Sequence, residues 1–192
     1  MPPAAPQSLD RDLHRFVRVV YGIGPAVPAH ERSLAWRYGD AVPAEVEIAP
    51  IAVEEFERLL PLIAAYQRFY EVASIDEERN RTFFRRFLGP SEDGLLLGAR
   101  RDGRLIGYAC LYWHFSSLEA CESVLMNDLL VDESARGEGV GRALIEAAAD
   151  IARERGVPFV EWSTAPDNHT AQRLYDSTGA ERSEWFNYEL RV

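Results

Sequence analysis

Between Val131 and Arg142 the chain leaves an apolar run, crosses a short polar turn and enters Arg136-Gly137-Glu138-Gly139-Val140-Gly141-Arg142. An apolar stripe at helical spacing starts there: Val140, Ala143, Leu144, Ala147, Ala148, Ile151 and Ala152, with Arg142, Glu146, Asp150 and Arg153 opposite. A strand, a glycine-rich loop and an amphipathic helix in that order constrain this chain more than any other feature. Glycines let successive backbone N–H groups converge on one concavity, and the helix N-terminus adds about half a positive charge. Such a loop holds a phosphate or pyrophosphate. Other readings compete with that one. A dinucleotide fingerprint of the GxGxxG kind needs glycine where Arg142 stands and normally lies near a chain start. A P-loop needs lysine, and every basic residue among the 21 is arginine. The plainest alternative is that the glycines only shape a turn.

A length of 192 residues fits one domain, with or without an added arm. The formal charge of −10 argues against a nucleic-acid partner, which needs a net basic face, and suits a cationic substrate. Without lysine no Schiff base can form on the chain. Cys110 and Cys121 sit in apolar segments without metal-ligand spacing, so they read as reduced packing residues. His114 and His169 lack ligand-spaced partners, and no metal is expected. No apolar run reaches the roughly 18 to 20 residues of a membrane span, and no secretory signal opens the chain. The expectation is a cytoplasmic protein with no membrane partner.

Residues 1–8 are rich in proline and alanine; an amphipathic helix is expected from Leu9 to Val20, then a proline-bearing connector over 25–43. This extension, 1–43, precedes a domain spanning 44–192. Within the domain the pattern predicts a strand at Glu45–Ile48 and helices over about 52–70 and 76–88. Strands at Leu95–Ala99 and Leu105–Trp113 are joined through Arg101-Asp102-Gly103-Arg104, a tight-hairpin signal. A third strand is expected at Ser123–Val131, the long helix at about 139–155, a strand at Phe159–Thr164, a short helix at about 168–177 and a final hairpin over 180–191. The order implies an α/β (α+β) protein: a mixed sheet with helices on both faces.

Two further clusters carry chemistry. Asn127 and Asp128 interrupt the apolar strand just before the glycine loop, and a carboxylate there is costly to bury without a partner, which favours a functional reading. Asn168-His169-Thr170-Ala171-Gln172-Arg173-Leu174-Tyr175 opens a helix with Asn168, Ala171 and Tyr175 on one side. Aromatic and acidic residues near element ends, namely Tyr66, Phe69, Tyr70, Trp113, Glu161 and Trp162, suit an amine through cation–π and ion-pair contacts, although each also reads as core packing.

With these residues the chain resembles the GCN5-related N-acetyltransferases (GNAT superfamily). Arg136, Gly139 and Gly141 match the [Q/R]-x-x-G-x-[G/A] pyrophosphate loop, and Asn168, Ala171, Leu174 and Tyr175 match the N-x-x-A-x-x-[L/F]-Y element. The resemblance covers the chain from about residue 45 and implies the GNAT fold: a twisted, mostly antiparallel sheet of about six or seven strands, split near its middle. It implies acetyl-CoA as co-substrate and an amine as acceptor. Leu129, Leu130 and Val131 would offer backbone groups to the pantetheine arm, and a backbone N–H near Leu129 would hold the oxyanion. Gly137, Glu138, Gly139, Val140, Gly141 and Arg142 would bind the pyrophosphate beside Arg136. Asn168 would bond the pantetheine region, and Tyr175 would protonate the departing thiolate. Met126–Val131 is similar to the segment of polyamine and thialysine acetyltransferases where a Glu-Asp pair stands. Asn127 occupies the first place here, so Asp128 is either the base or an anchor for the substrate ammonium. A small-molecule amine is the expected acceptor, a protein N-terminus or lysine the alternative, and a CoA sensor without turnover the reading from another class. By the same analogy the chain is expected to form a homodimer.

Overall fold

A computed structural model describes residues 46–192. The extension over 1–43, with its expected helix, lies outside the described residues. In chain order the elements are β1 (Val46–Pro50), α1 (Phe56–Phe69), α2 (Glu77–Phe84), β2 (Gly94–Arg101), β3 (Arg104–Ser116), β4 (Cys121–Val131), α3 (Val140–Glu154), β5 (Val160–Glu161) and α4 (His169–Asp176). Residues 46–162 and 163–192 belong to separate compact units.

The first unit is built on a five-stranded sheet in the order β1-β2-β3-β4-β5. The pairs from β1 to β4 are antiparallel, whereas β4 and β5 run parallel. The Asp-Gly hairpin forms as its sequence demands: Arg101 pairs with Arg104, and both central residues have positive φ, 51° at Asp102 and 72° at Gly103.

Helices cover both faces of this sheet. On one face α1 buries Phe56, Leu59, Leu60, Leu62 and Ile63 against Leu96, Tyr108, Cys110 and Leu130, with Phe84 at the end of α2 and Phe87 just beyond it. Each such side chain taken from water contributes roughly 1.5–3 kcal/mol. Pro61 lies inside α1, on its exposed side. Asp76 caps α2, accepting the Arg79 N–H at 2.9 Å. Gln67 and the buried Asn80 exchange two hydrogen bonds of 2.8 Å, locking α1 to α2. On the other face lies α3, whose predicted stripe is buried at all seven positions. Because neighbouring residues on a strand face opposite ways, Ala109 and Leu111 fill this side while Tyr108 and Cys110 fill the first.

A buried ion pair ties β2 to the turn before α1. Arg100 donates from Nε and Nη2 to the two oxygens of Glu55 at 2.9 and 2.6 Å, and it also bonds the carbonyls of Ala49, Pro50 and Gly98. Glu55 is held below the usual carboxylate range first by that hydrogen bonding. Among the described residues no helix is long and apolar enough to cross a membrane.

The second unit holds α4. Asn168 caps it, its Oδ1 accepting the Ala171 N–H at 3.2 Å, and Gly179 follows its end in the left-handed region at φ 83°. The hairpin expected over 180–191 does not form, so the described residues carry five strands rather than six or seven. The alternation there is real, but Trp185, Phe186, Tyr188 and Leu190 are 82–94% exposed, and an alternating segment becomes a strand only when a partner covers its apolar side. The strand expected over 159–164 is likewise cut to Val160–Glu161.

Candidate active site

The site begins with an irregularity in β4. Cys110 pairs with Asp128 and Leu111 with Met126, so Asn127 is an extra residue with no partner on β3. A bulge of this kind bends its strand and re-aims the side chains beside it. In a regular strand Met126 and Asp128 would share a face. With the bulge, Met126 follows Leu111 toward α3, and Asp128 follows Cys110 toward α1. The polar pair that breaks the apolar run in the sequence is the signature of this bulge.

Asp128 is therefore delivered into the core, only 4% exposed. Its carboxylate accepts from Asn127 Nδ2 at 2.9 Å on Oδ1 and from the Tyr108 hydroxyl at 3.3 Å on Oδ2. Burial pushes its pKa up to about 6, against the opposing hydrogen bonds of Asn127, Tyr108 and Tyr66. A carboxylic acid poised there is ionised at neutral pH and basic enough to take a proton. Burial also raises Tyr108 and Cys110, each further raised by the Asp128 charge, and raises Tyr112, so these groups stay protonated beside it.

Tyr66, on the last turn of α1, donates to the Asn127 carbonyl at 3.3 Å. Its ring meets Tyr70 edge-on at 4.9 Å and Tyr108 at 6.3 Å. Phe69 packs against Tyr70 at 5.0 Å, and both are exposed. Further along the same sheet face, Glu161 Oε1 accepts from the Ser123 hydroxyl at 2.8 Å and lies 3.0 Å from His114 Nδ1. Of the residues named from sequence, the structure gathers Tyr66, Tyr70, Asn127 and Asp128 in one cluster and sets Glu161 on the same face. Trp113 is not among them. Its indole donates to the Ser91 carbonyl at 2.9 Å and its ring lies 3.8 Å beneath the Arg155 guanidinium, a packing role on the side of α3. Trp162, half-buried, follows β5 directly. Tyr108 and Ser123 were not singled out in the sequence. A tyrosine inside an apolar strand was the available signal for the first; nothing local marked the second.

At the glycine loop, Gly137 and Gly139 adopt φ of 80° and 82°, conformations that a side chain would strain. A Cβ placed at Gly137 would meet nothing within 4 Å, so the loop is open on that side. Gly139 caps α3, and the amides of Val140, Gly141 and Arg142 precede the first intrahelical bond, from Ala143 N–H to the Gly139 carbonyl at 3.0 Å. The side chains turn elsewhere: Arg136 Nε donates to the Val131 carbonyl at 3.1 Å, Glu138 pairs with Arg101, and Arg142 lies 3.9 Å from Glu146. Attraction for an anion thus comes from backbone amides and the helix terminus, and these residues fit a pyrophosphate.

β5 pairs with β4 only at Val124 and Leu125, before the bulge. From Met126 to Val131 the edge of β4 away from β3 has no strand partner among the described residues, and it includes Leu129, Leu130 and Val131. In the second unit Tyr175 is half-buried, one turn beyond Ala171 and two beyond Asn168 on α4.

A parallel strand that stops pairing midway, a glycine cradle at a helix start and a buried carboxyl on the neighbouring strand define an acyltransferase-type α/β protein. Residues 59–180 match the Acetyltransferase (GNAT) family profile. An uncharacterized N-acetyltransferase of Bacillus subtilis is 34% identical over 135 residues, covering 70% of this chain and 89% of that protein. A D-amino-acid N-acetyltransferase of Saccharomyces cerevisiae is 42% identical over 112 residues, 57% of this chain and 69% of the yeast protein. The crystal structure of a probable acetyltransferase superposes with a TM-score of 0.67 at 32% identity, covering 76% of this chain and 97% of that one. The chain belongs to the GNAT family of acetyltransferases and is an acetyltransferase enzyme.

Proposed function

We propose that the chain transfers acetyl from acetyl-CoA to the primary amine of a small molecule of polyamine, diamine or amino-acid type, by direct attack. The observation that carries this reading is Asp128, a carboxyl delivered into the core by a bulge and held near pKa 6. An alkyl ammonium has a pKa near 10 and must lose a proton before it can attack. Asp128 takes that proton, and the tyrosines around it shape the acceptor end.

The loop amides from Gly137 to Arg142 would hold the pyrophosphate of acetyl-CoA, and the open edge of β4 at Leu129–Val131 would align its pantetheine arm. Bound there, acetyl-CoA supplies the activated acyl carbon as a thioester. Asn168 would add a hydrogen bond to the arm, and Tyr175 would donate a proton to the departing sulfur. Tyr70, Glu161 and Trp162 are the further residues proposed to face the acceptor, with Glu161 as an ion-pair partner for a second cationic group. The yeast relative's action on D-amino acids supports an acceptor of this size and charge. A homodimer in the cytoplasm is the proposed state of the enzyme.

Calorimetry with acetyl-CoA, followed by thiol release across D- and L-amino acids, diamines, polyamines and peptides, tests the reading. Binding is expected with turnover on the small amines. Turnover on peptides alone would refute the acceptor class, and binding without turnover on any amine would refute the assigned activity.

A further inference from the structure

A general base must exchange its proton first with the acceptor and later with water, yet Asp128 is only 4% exposed. Its three hydrogen-bonding neighbours are Asn127, Tyr108 and Tyr66. They differ in what they can pass on. The Asn127 amide donates an N–H that does not titrate in water, so it fixes the carboxylate without carrying protons. The Tyr108 hydroxyl can carry a proton but is completely buried, with Cys110 and Tyr112 as its neighbours along β3. It leads nowhere. Tyr66 alone of the three combines a titratable hydroxyl with a half-buried side chain, at the end of α1 beside the exposed Tyr70.

The Tyr66 hydroxyl also has two acceptors within reach: the Asn127 carbonyl at 3.3 Å and the Asp128 carboxylate. A rotation about its C–O bond moves the proton from one to the other without moving the ring. A phenol accepts as well as donates, so it can receive one proton while releasing another.

We propose that Tyr66 is the proton entry to Asp128: the acceptor ammonium gives its proton to Tyr66 Oη as the Tyr66 hydroxyl proton passes to the Asp128 carboxylate. The inference rests on the reading of Asp128 as the base. The balance is complete. One ammonium N–H bond breaks, one carboxyl O–H bond forms, Tyr66 ends neutral, and the freed nitrogen lone pair forms the new bond to the acyl carbon. The second proton of the reacting nitrogen goes to the leaving sulfur. The first returns from Asp128 through Tyr66 to water once the amide has left. One thioester and one ammonium thus yield one amide, one thiol and one released proton.

The test measures thiol release from acetyl-CoA between about pH 5 and pH 9, with D-amino acids as acceptors and with none, when slow thioester hydrolysis draws on the same base. Tyr66→Phe is expected to lower kcat about 100-fold, the usual scale of general-base assistance, with an unchanged KM for acetyl-CoA. Its residual rate should lose the rise through about pH 6 expected of the native enzyme. Asp128→Asn should lose a comparable factor, and the double variant no more than either alone, because the two act as one unit. A Tyr66→Phe enzyme that keeps its kcat and its pH limb while Asp128→Asn is inactive overturns the relay and leaves the base in place. An active Asp128→Asn overturns both. Multiplicative losses in the double variant overturn the relay as well. Should Tyr66→Phe fail to fold, 3-fluorotyrosine at position 66 keeps the shape and alters only hydroxyl acidity. A changed solvent isotope effect on kcat is then expected, and an unchanged one overturns the proposal.

Discussion

Asp128→Asn should make the protein more stable relative to wild type as the pH rises, while lowering its activity about 100-fold. The aspartate's ordinary pKa is 3.8 and burial lifts it to about 6. Between those values the folded chain holds a proton that the unfolded chain has released, so stability falls as pH rises through the window. The stabilising contribution is fully present below 3.8 and lost above about 6, the reverse of an aspartate in a surface ion pair. About two pKa units correspond to about 3 kcal/mol, of which about 2 kcal/mol fall between about pH 4.5 and pH 8. Asparagine carries no such cost at any pH. The difference in unfolding free energy between variant and wild type, from urea titrations, should shift toward the variant by that amount across the range. In melting temperature the shift is roughly 4–8 °C for a chain of this length. The lost hydrogen-bond geometry at Tyr108 and Asn127 sets a constant offset and leaves the slope untouched. Since Tyr108, Cys110 and Tyr112 are all pushed upward, they add no slope of their own. A difference that stays flat from pH 4.5 to pH 8 would refute the reasoning, because Asp128 would then titrate as it does in the unfolded chain.

Gly139→Glu should abolish acetyl-CoA binding by calorimetry: it puts a side chain on a backbone at φ 82° and a like charge into the anion cradle. Wild-type affinity in that variant would mean that the pyrophosphate lies elsewhere. Tyr175→Phe should lower kcat with little change in acetyl-CoA affinity, and an unchanged kcat would remove Tyr175 as the proton donor.

Periodicity alone was enough for the long elements, because α1, α3 and the Asp102-Gly103 hairpin each carry a local signal that the core only reinforces. The glycine loop was legible for the same reason, since its conformation is written in Gly137 and Gly139. What was not legible depends on partners distant in sequence. Trp113 counted among the aromatics that suit an amine or pack the core, and its contacts with Arg155 and Ser91, which place it on the other face, could not be read from its own strand. The alternation over 180–191 named a strand without naming anything to pair with it. Tyr108 became a site residue only through a register that no single strand records.

Asn127 is where those two kinds of information meet. Against the expected acid pair it looked like a loss of function, yet in the fold it is the extra residue that turns Asp128 toward α1 and donates to its carboxylate at 2.9 Å. Its side chain and its backbone can be separated experimentally. Asn127→Ala keeps the residue count and therefore the bulge, so Asp128 stays on its face and loses one donor to its charged form. A hydrogen bond to a charged group is worth about 1.5 kcal/mol or more, so the pKa should climb by about one unit. The acid limb of kcat/KM should move from about pH 6 toward neutrality, with the plateau rate changed far less than in Asp128→Asn. A limb that does not move would mean that Asn127 contributes only the bulge; a lost plateau would mean that it handles the acceptor directly. The expected result makes Asn127 the tuner of the base, so the missing acid of the pair is a neutral donor that keeps Asp128 ionised at the pH where it works.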